Sequence, residues 1–166
     1  MTNTTQATVR VHRVYINAPA QKVWDAITSP EWNGRYAFKA PSEYDLRPGG
    51  AYRVVSTAQM REFGAPEVLI DGEVLECEVP TRLVQTWRAH FTPETSAEGF
   101  TRLTWELRPT TNAGETSLLF RHSGFGNDYG DEQHAHVNWV WGQIVGRLKA
   151  YAETGQPQPF FAASPA

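Results

Sequence analysis

The densest group of side chains able to bind a metal or move a proton lies between Asp128 and His136, where Asp128, Asp131, Glu132, His134 and His136 crowd together. Ligands on a helix converge when they stand three or four residues apart, whereas His134 and His136 are two apart and point away from each other on a helix. Only an extended loop would unite them. The segment is read as the solvated start of a helix, with Asp128 or Asp131 as its cap, and no metal or cofactor is expected. His122 is the next candidate, since an unperturbed imidazole titrates near neutrality and can act as a general base. On a strand, however, the adjoining Ser123 faces the opposite side, and no nucleophile with an orienting carboxylate is readable nearby. The plainer role for His122 is a hydrogen-bonded residue at a strand end. Gln85 is more telling, because it stands between Leu83 and Trp87 on what alternation marks as an inner face. An amide buried there without partners costs about 1–3 kcal/mol. Either Gln85 meets something polar, or the strand faces the other way.

The elements that must position these residues follow from periodicity. Thr8 to Ile16 alternates and is rich in β-branched and aromatic residues, which predicts a strand. Asn17-Ala18-Pro19 breaks it, and Val23, Trp24 and Ile27 at helical spacing predict a short helix over Ala20 to Ile27, with Pro19 suited to its first turn. A second helical piece is expected around Glu31 to Tyr36. Further strands are expected at Ala51 to Ser56, Val68 to Glu78, Leu83 to Phe91, Phe100 to Arg108 and Glu115 to Ser123, with Gly72 marking a bulge or bend. Strands so close in sequence must pair antiparallel, because a parallel return needs a long crossover. From Glu132 to Thr154, Val137, Trp141, Ile144, Leu148 and Tyr151 recur at steps of three and four, predicting one long amphipathic helix that Gly155 and Pro157 end.

A single sheet and one long helix bury their apolar faces by curling together. The expected class is α+β, a curved antiparallel sheet of six to seven strands around the C-terminal helix, with two short helices after the first strand. One domain is expected over 1–166, with a core at 8–155 and flexible tails at 1–7 and 156–166. Composition narrows the partners. Net charge is -3, with 15 Lys+Arg and 18 Asp+Glu, and without a basic cluster nucleic acid is not expected. The lone Cys77 forms no internal disulfide, and no zinc-finger spacing exists. No leader or apolar run of about 18 residues is seen, so the expectation is a cytoplasmic protein with no membrane insertion.

Several fragments carry a resemblance. They are Ala18-Pro19 with Val23-Trp24, Pro30-Glu31, Arg47-Pro48-Gly49-Gly50-Ala51-Tyr52-Arg53, Gly72-Glu73-Val74 with Pro80, Arg82-Leu83-Val84 with Thr86-Trp87, His122-Ser123-Gly124-Phe125, and Trp141 with Leu148 and Gly155-Gln156-Pro157. In this order the chain resembles the SRPBCC or START-like superfamily, in the branch named after the activator of the 90-kDa heat-shock protein ATPase. Val140-Trp141 stands where that branch often has Gly-Trp, and Gln85 where many members carry an apolar residue. The resemblance implies a helix-grip, birch-pollen-allergen-like fold with an internal cavity; members range from ligand carriers to polyketide cyclases and co-chaperone domains. It supplies no shared catalytic motif.

Strand parity then names the residues expected at a ligand: Tyr52 and Val54, Gln85 and Trp87, Trp105, Phe120 and His122, joined by Val137 and Trp141 of the helix, with His12 as a further polar group. The competing reading is that Trp87, Trp105 and Phe120 are plain core. The leading functional expectation is a cavity that binds a small hydrophobic or aromatic molecule, with scope for cyclase- or hydrolase-like chemistry. A chaperone-associated interaction module is the alternative, and a homodimer-forming regulator a third. Met60 and Phe63, between Thr57 and Pro66, are expected to form a lid or an interface.

Overall fold

The computed structural model describes residues 9–36, 40–124 and 131–156, and the side chains of these except 131–139. Among the described residues seven strands form one antiparallel sheet: β1 (Arg10–Ile16), β2 (Ser42–Tyr44), β3 (Ala51–Val55), β4 (Val68–Glu78), β5 (Arg82–Ala89), β6 (Thr101–Pro109) and β7 (Thr116–Ser123). Their spatial order is β1-β7-β6-β5-β4-β3-β2, so every pairing from β2 to β7 joins chain neighbours, and β1 returns to lie beside β7 with His12 opposite Phe120. The helices are α1 (Ala20–Thr28), α2 (Pro30–Asn33), α3 (Ala58–Glu62), α4 (Pro93–Ala97) and α5 (Asp131–Thr154).

Alternation decides what each strand buries. Leu83, Gln85, Trp87 and Ala89 on β5, Leu103, Trp105 and Leu107 on β6, and Leu118, Phe120 and His122 on β7 all face inward and are buried. The expected facing is therefore the observed one. Helix α5 covers this face with Trp141, Ile144, Val145, Leu148 and Tyr151, the stripe that its spacing announced. Gly142 faces β1, where an added Cβ would make ordinary contact with His12 Cε1 at 3.5 Å. Two polar ties fasten its last turns to the end of β1. Lys149 Nζ donates to the Tyr15 carbonyl at 2.8 Å, and Glu153 accepts from the Asn17 amide at 2.9 Å.

The structure departs from expectation at short elements. The second helical piece is only α2, and residues 34–36 continue as a turn. Gly72 is a point of close approach, with the Thr86 carbonyl oxygen 2.0 Å from where a Cβ would lie, while the register shift falls between Val74 and Glu76. The 57–66 connection contains α3, capped by the Thr57 side chain accepting from Met60 N–H at 3.2 Å. Met60 packs against the core and Phe63 is 85% exposed, so the two apolar residues part company.

Helix α4 is pinned to the sheet by a relay. Arg88 grips Asp71 through two hydrogen bonds of 2.9 and 2.7 Å, His90 Nε2 meets Asp71 Oδ1 at 2.9 Å, and His90 Nδ1 meets Ser96 Oγ at 2.9 Å. The carboxylate requires a proton on Nε2, so Nδ1 accepts from the Ser96 hydroxyl when the ring is neutral.

Candidate functional site

Where α1, α2 and α5 meet the β2–β3 end of the sheet, packing leaves an unfilled space of about 40 Å³. Tyr36, Tyr44, Tyr52, Trp105, Trp141 and Ile144 are its principal walls. That volume holds roughly three water molecules. The surrounding polar groups are arranged by the chain around them. Asn33 Nδ2 donates to the carbonyls of Ile27 and Ser42 at 3.2 and 2.9 Å, and its Oδ1 accepts from Ser42 N–H at 2.8 Å, which ties β2 to the helices. The Tyr36 hydroxyl donates to the Ala26 carbonyl at 2.7 Å. Both Asn33 and Tyr36 are thereby occupied in holding the wall.

Tyr44 and Tyr52 stack with ring centroids 4.7 Å apart, and the Tyr44 hydroxyl donates to Gln85 Oε1 at 3.0 Å. Gln85 is 0% exposed, and Tyr52 as well as Tyr44 engages its side-chain amide. Burial, which disfavours a phenolate, pushes the Tyr52 hydroxyl up to about 12 and raises those of Tyr36 and Tyr44 as well. The site is thus neutral at ordinary pH, and it offers hydrogen bonds and apolar surface rather than charge.

Of the residues expected at a ligand, Tyr52, Val54, Trp105 and Trp141 line this space, and Gln85 reaches it through its bond to Tyr44. Trp87, Phe120 and His122 are brought together elsewhere, in an aromatic cluster with Trp87–His122, Trp105–Phe120 and Phe120–Trp141 centroid separations of 5.3, 4.6 and 4.6 Å. His122 Nε2 lies 2.6 Å from Thr101 Oγ1, whose hydroxyl donates to the Trp87 carbonyl at 3.1 Å; the imidazole therefore donates to Thr101. His12 packs against Phe120 and is half-buried. The side chain of Val137, with those of Asp131, Glu132, His134 and His136, lies outside the described residues, as does Asp128. Among the described residues no group of His, Cys, Asp and Glu could hold a metal ion. Sequence reasoning missed Asn33, Tyr36 and Tyr44. Their signal was the aromatic and amide content of a stretch that carried no clear period.

A second hollow, about 350 Å³, opens on the outer side of the helices between Pro19, Lys22, Asp25, Trp32, Tyr151 and Ala152. Arg35 caps it, lying 5.8 Å from the Trp32 ring and donating to the Tyr151 hydroxyl at 3.4 Å.

A curved antiparallel sheet gripping a C-terminal helix around a small gap defines the helix-grip class of domain. Residues 17–153 match the family of Activator of Hsp90 ATPase homolog 1-like proteins, and the chain belongs to it. A comparison with curated proteins finds no match. Among solved structures, DynU16 from the dynemicin biosynthetic locus is 27% identical with a TM-score of 0.66, over 90% of this chain and 48% of that one. PFC0360w, an Hsp90 activator from Plasmodium falciparum, is 18% identical with a TM-score of 0.62, over 86% of this chain and 94% of that one. The Aha1 dimer from Colwellia psychrerythraea is 17% identical with a TM-score of 0.62, over 89% and 98%. Among the described residues no helix is long and apolar enough to cross a membrane.

Proposed function

We propose that this chain is a cytoplasmic small-molecule binding domain whose site is the tyrosine-lined gap between α5 and the β2–β3 end of the sheet. The observation that carries the reading is the gap itself, about 40 Å³ left unfilled in the core and walled by Tyr36, Tyr44, Tyr52, Trp105 and Trp141 without a charged side chain. The present volume suits water, so an organic guest enters by expelling water and displacing half-buried Tyr44. Any cyclase- or hydrolase-like chemistry there would work by hydrogen-bond polarisation of the guest, because the tyrosines stay protonated.

One-ring aromatic compounds at millimolar concentration are expected to raise the melting temperature, since a ligand that binds only the folded chain stabilises it by mass action. Ile144→Trp, which fills the gap, should blunt the rise, while Trp32→Ala in the outer hollow should leave it intact. A panel without effect on the parent protein would overturn the reading. The Plasmodium structure described as an Hsp90 activator favours a second reading, a chaperone-associated module, and a chaperone ATPase assay with the purified domain tests it. The dimeric Colwellia structure supports self-association, which light scattering across a wide concentration range would reveal.

A further inference from the structure

The relay that pins α4 to the sheet has the make-up of a nucleophile with its base. Ser96 Oγ lies 2.9 Å from His90 Nδ1, and His90 Nε2 lies 2.9 Å from Asp71 Oδ1, so hydroxyl, imidazole and carboxylate follow one another in a single chain of hydrogen bonds. The carboxylate selects the tautomer that leaves Nδ1 able to take the Ser96 proton. Asp71 and Arg88 are cross-strand partners on β4 and β5, and the two hydrogen bonds from Arg88 fix the carboxylate in turn. The group is also reachable. Side chains of His90 and Asp71 are 24% and 28% exposed, and Ser96 is half-buried. It stands on the sheet face opposite the gap, because the adjoining Ile70 and Ala89 are the residues of β4 and β5 that turn inward there.

The Ser96 and Glu98 amides are spent inside α4, donating to the Thr92 and Glu94 carbonyls at 3.1 and 3.2 Å, so neither serves as an oxyanion hole. That confines the chemistry to acyl groups needing little help, namely esters whose alcohol departs as a stable anion. Phe91 and Phe100, 50% and 49% exposed at either end of the segment that carries α4, give an aryl ester an apolar surface.

We propose that Ser96 is the nucleophile of a second site, a weak esterase for small aryl esters, with His90 as its general base and Asp71 positioning the ring. As Ser96 Oγ bonds to the acyl carbon, its proton passes to His90 Nδ1 and the tetrahedral adduct expels the aryl oxide with its electron pair. The imidazolium yields that proton to the aryl oxide or to solvent. Water then attacks the acyl-serine, Nδ1 taking its proton and returning one to Ser96 Oγ as the acyl bond breaks, so ester and water become acid and phenol.

The test is 4-nitrophenyl acetate added to the purified full chain, with nitrophenolate followed by absorbance and the acetyl group located by peptide mass spectrometry. A burst of nitrophenolate and acetylation at Ser96 are expected. Ser96→Ala should abolish that acetylation and lower kcat/KM about a hundredfold. Asp71→Asn should lower kcat about tenfold or more with KM unchanged, a split that lost stability alone does not produce. Acetylation confined to lysines or to His90, or an unchanged rate in Ser96→Ala, would overturn the proposal. Should a variant fail to fold, the location of the acetyl group on the parent protein decides alone.

Discussion

Asp71 shows how much one carboxylate can be asked to do on the outer face of a sheet. It accepts from Arg88 and His90 at once, and the Arg88 hydrogen bonds, ahead of the His90 contact, hold its carboxyl below the ordinary range. A carboxyl depressed in the folded state stabilises the fold above its unfolded value, near 3.9, and loses that contribution as pH falls through the folded value. Urea midpoints are therefore expected to decline below about pH 4 in the parent protein, and Asp71→Asn should flatten that decline while costing roughly 0.5–1 kcal/mol at neutrality. Tyr52 works in the other direction. Its folded value near 12 exceeds that of the unfolded chain, about 10, so its contribution is complete below pH 10 and is lost as pH climbs toward 12. A tyrosinate absorbance titration should show the buried tyrosines ionising only together with unfolding. Gln85→Leu should destabilise the protein by about 1–3 kcal/mol, measured by the same urea midpoints, since it takes the acceptor from the Tyr44 hydroxyl. Gln85 was legible in the sequence because strand parity placed an amide among apolar neighbours. Asn33, Tyr36 and Tyr44 were not, because their positions depend on a turn and on hydrogen bonds across chain segments, which leave no periodic trace.

Elements with a strong period were legible nearly to the residue. The alternation of β5 and the three-and-four stripe of α5 from Trp141 to Tyr151 each correspond to a buried face. Leu148, 0% exposed on that stripe, should cost about 2–5 kcal/mol when replaced by Ala, as read by chemical denaturation. The short elements escaped for a physical reason. Helices α3 and α4 have five residues each and bury none of them, so no apolar pattern exists to be read, and their marks are the caps Thr57 and Thr92, with Pro93 opening α4. Strand β2 is three residues long, too short for alternation to register. Gly72 was recognised as special, but its cause lies on the neighbouring strand. Gly72→Ala would drive a methyl group into the Thr86 carbonyl, and a loss of about 3 kcal/mol in urea unfolding is expected.

At the scale of the whole molecule, the class of fold was legible because six closely spaced strands followed by one amphipathic helix leave few ways to bury both faces. The gap at the β2–β3 end was not, since it depends on how α1, α2 and α5 converge rather than on any one period. Strand order bears on kinetics as well as shape. Pairings from β2 through β7 close short hairpin-like connections, while β1 must find β7 across almost the entire chain. Contacts that close long loops tend to form late, so Ile16→Val, at the buried end of β1, should leave refolding nearly unchanged and accelerate unfolding in a stopped-flow chevron. During synthesis the asymmetry is larger. His12 leaves the ribosome well over a hundred positions ahead of the helix that will cover it, and at about 5–20 residues per second Phe120 follows roughly 5–20 s later. The first strand made is thus the last to be sheltered, and the nascent protein spends that interval with an adhesive β edge in the open.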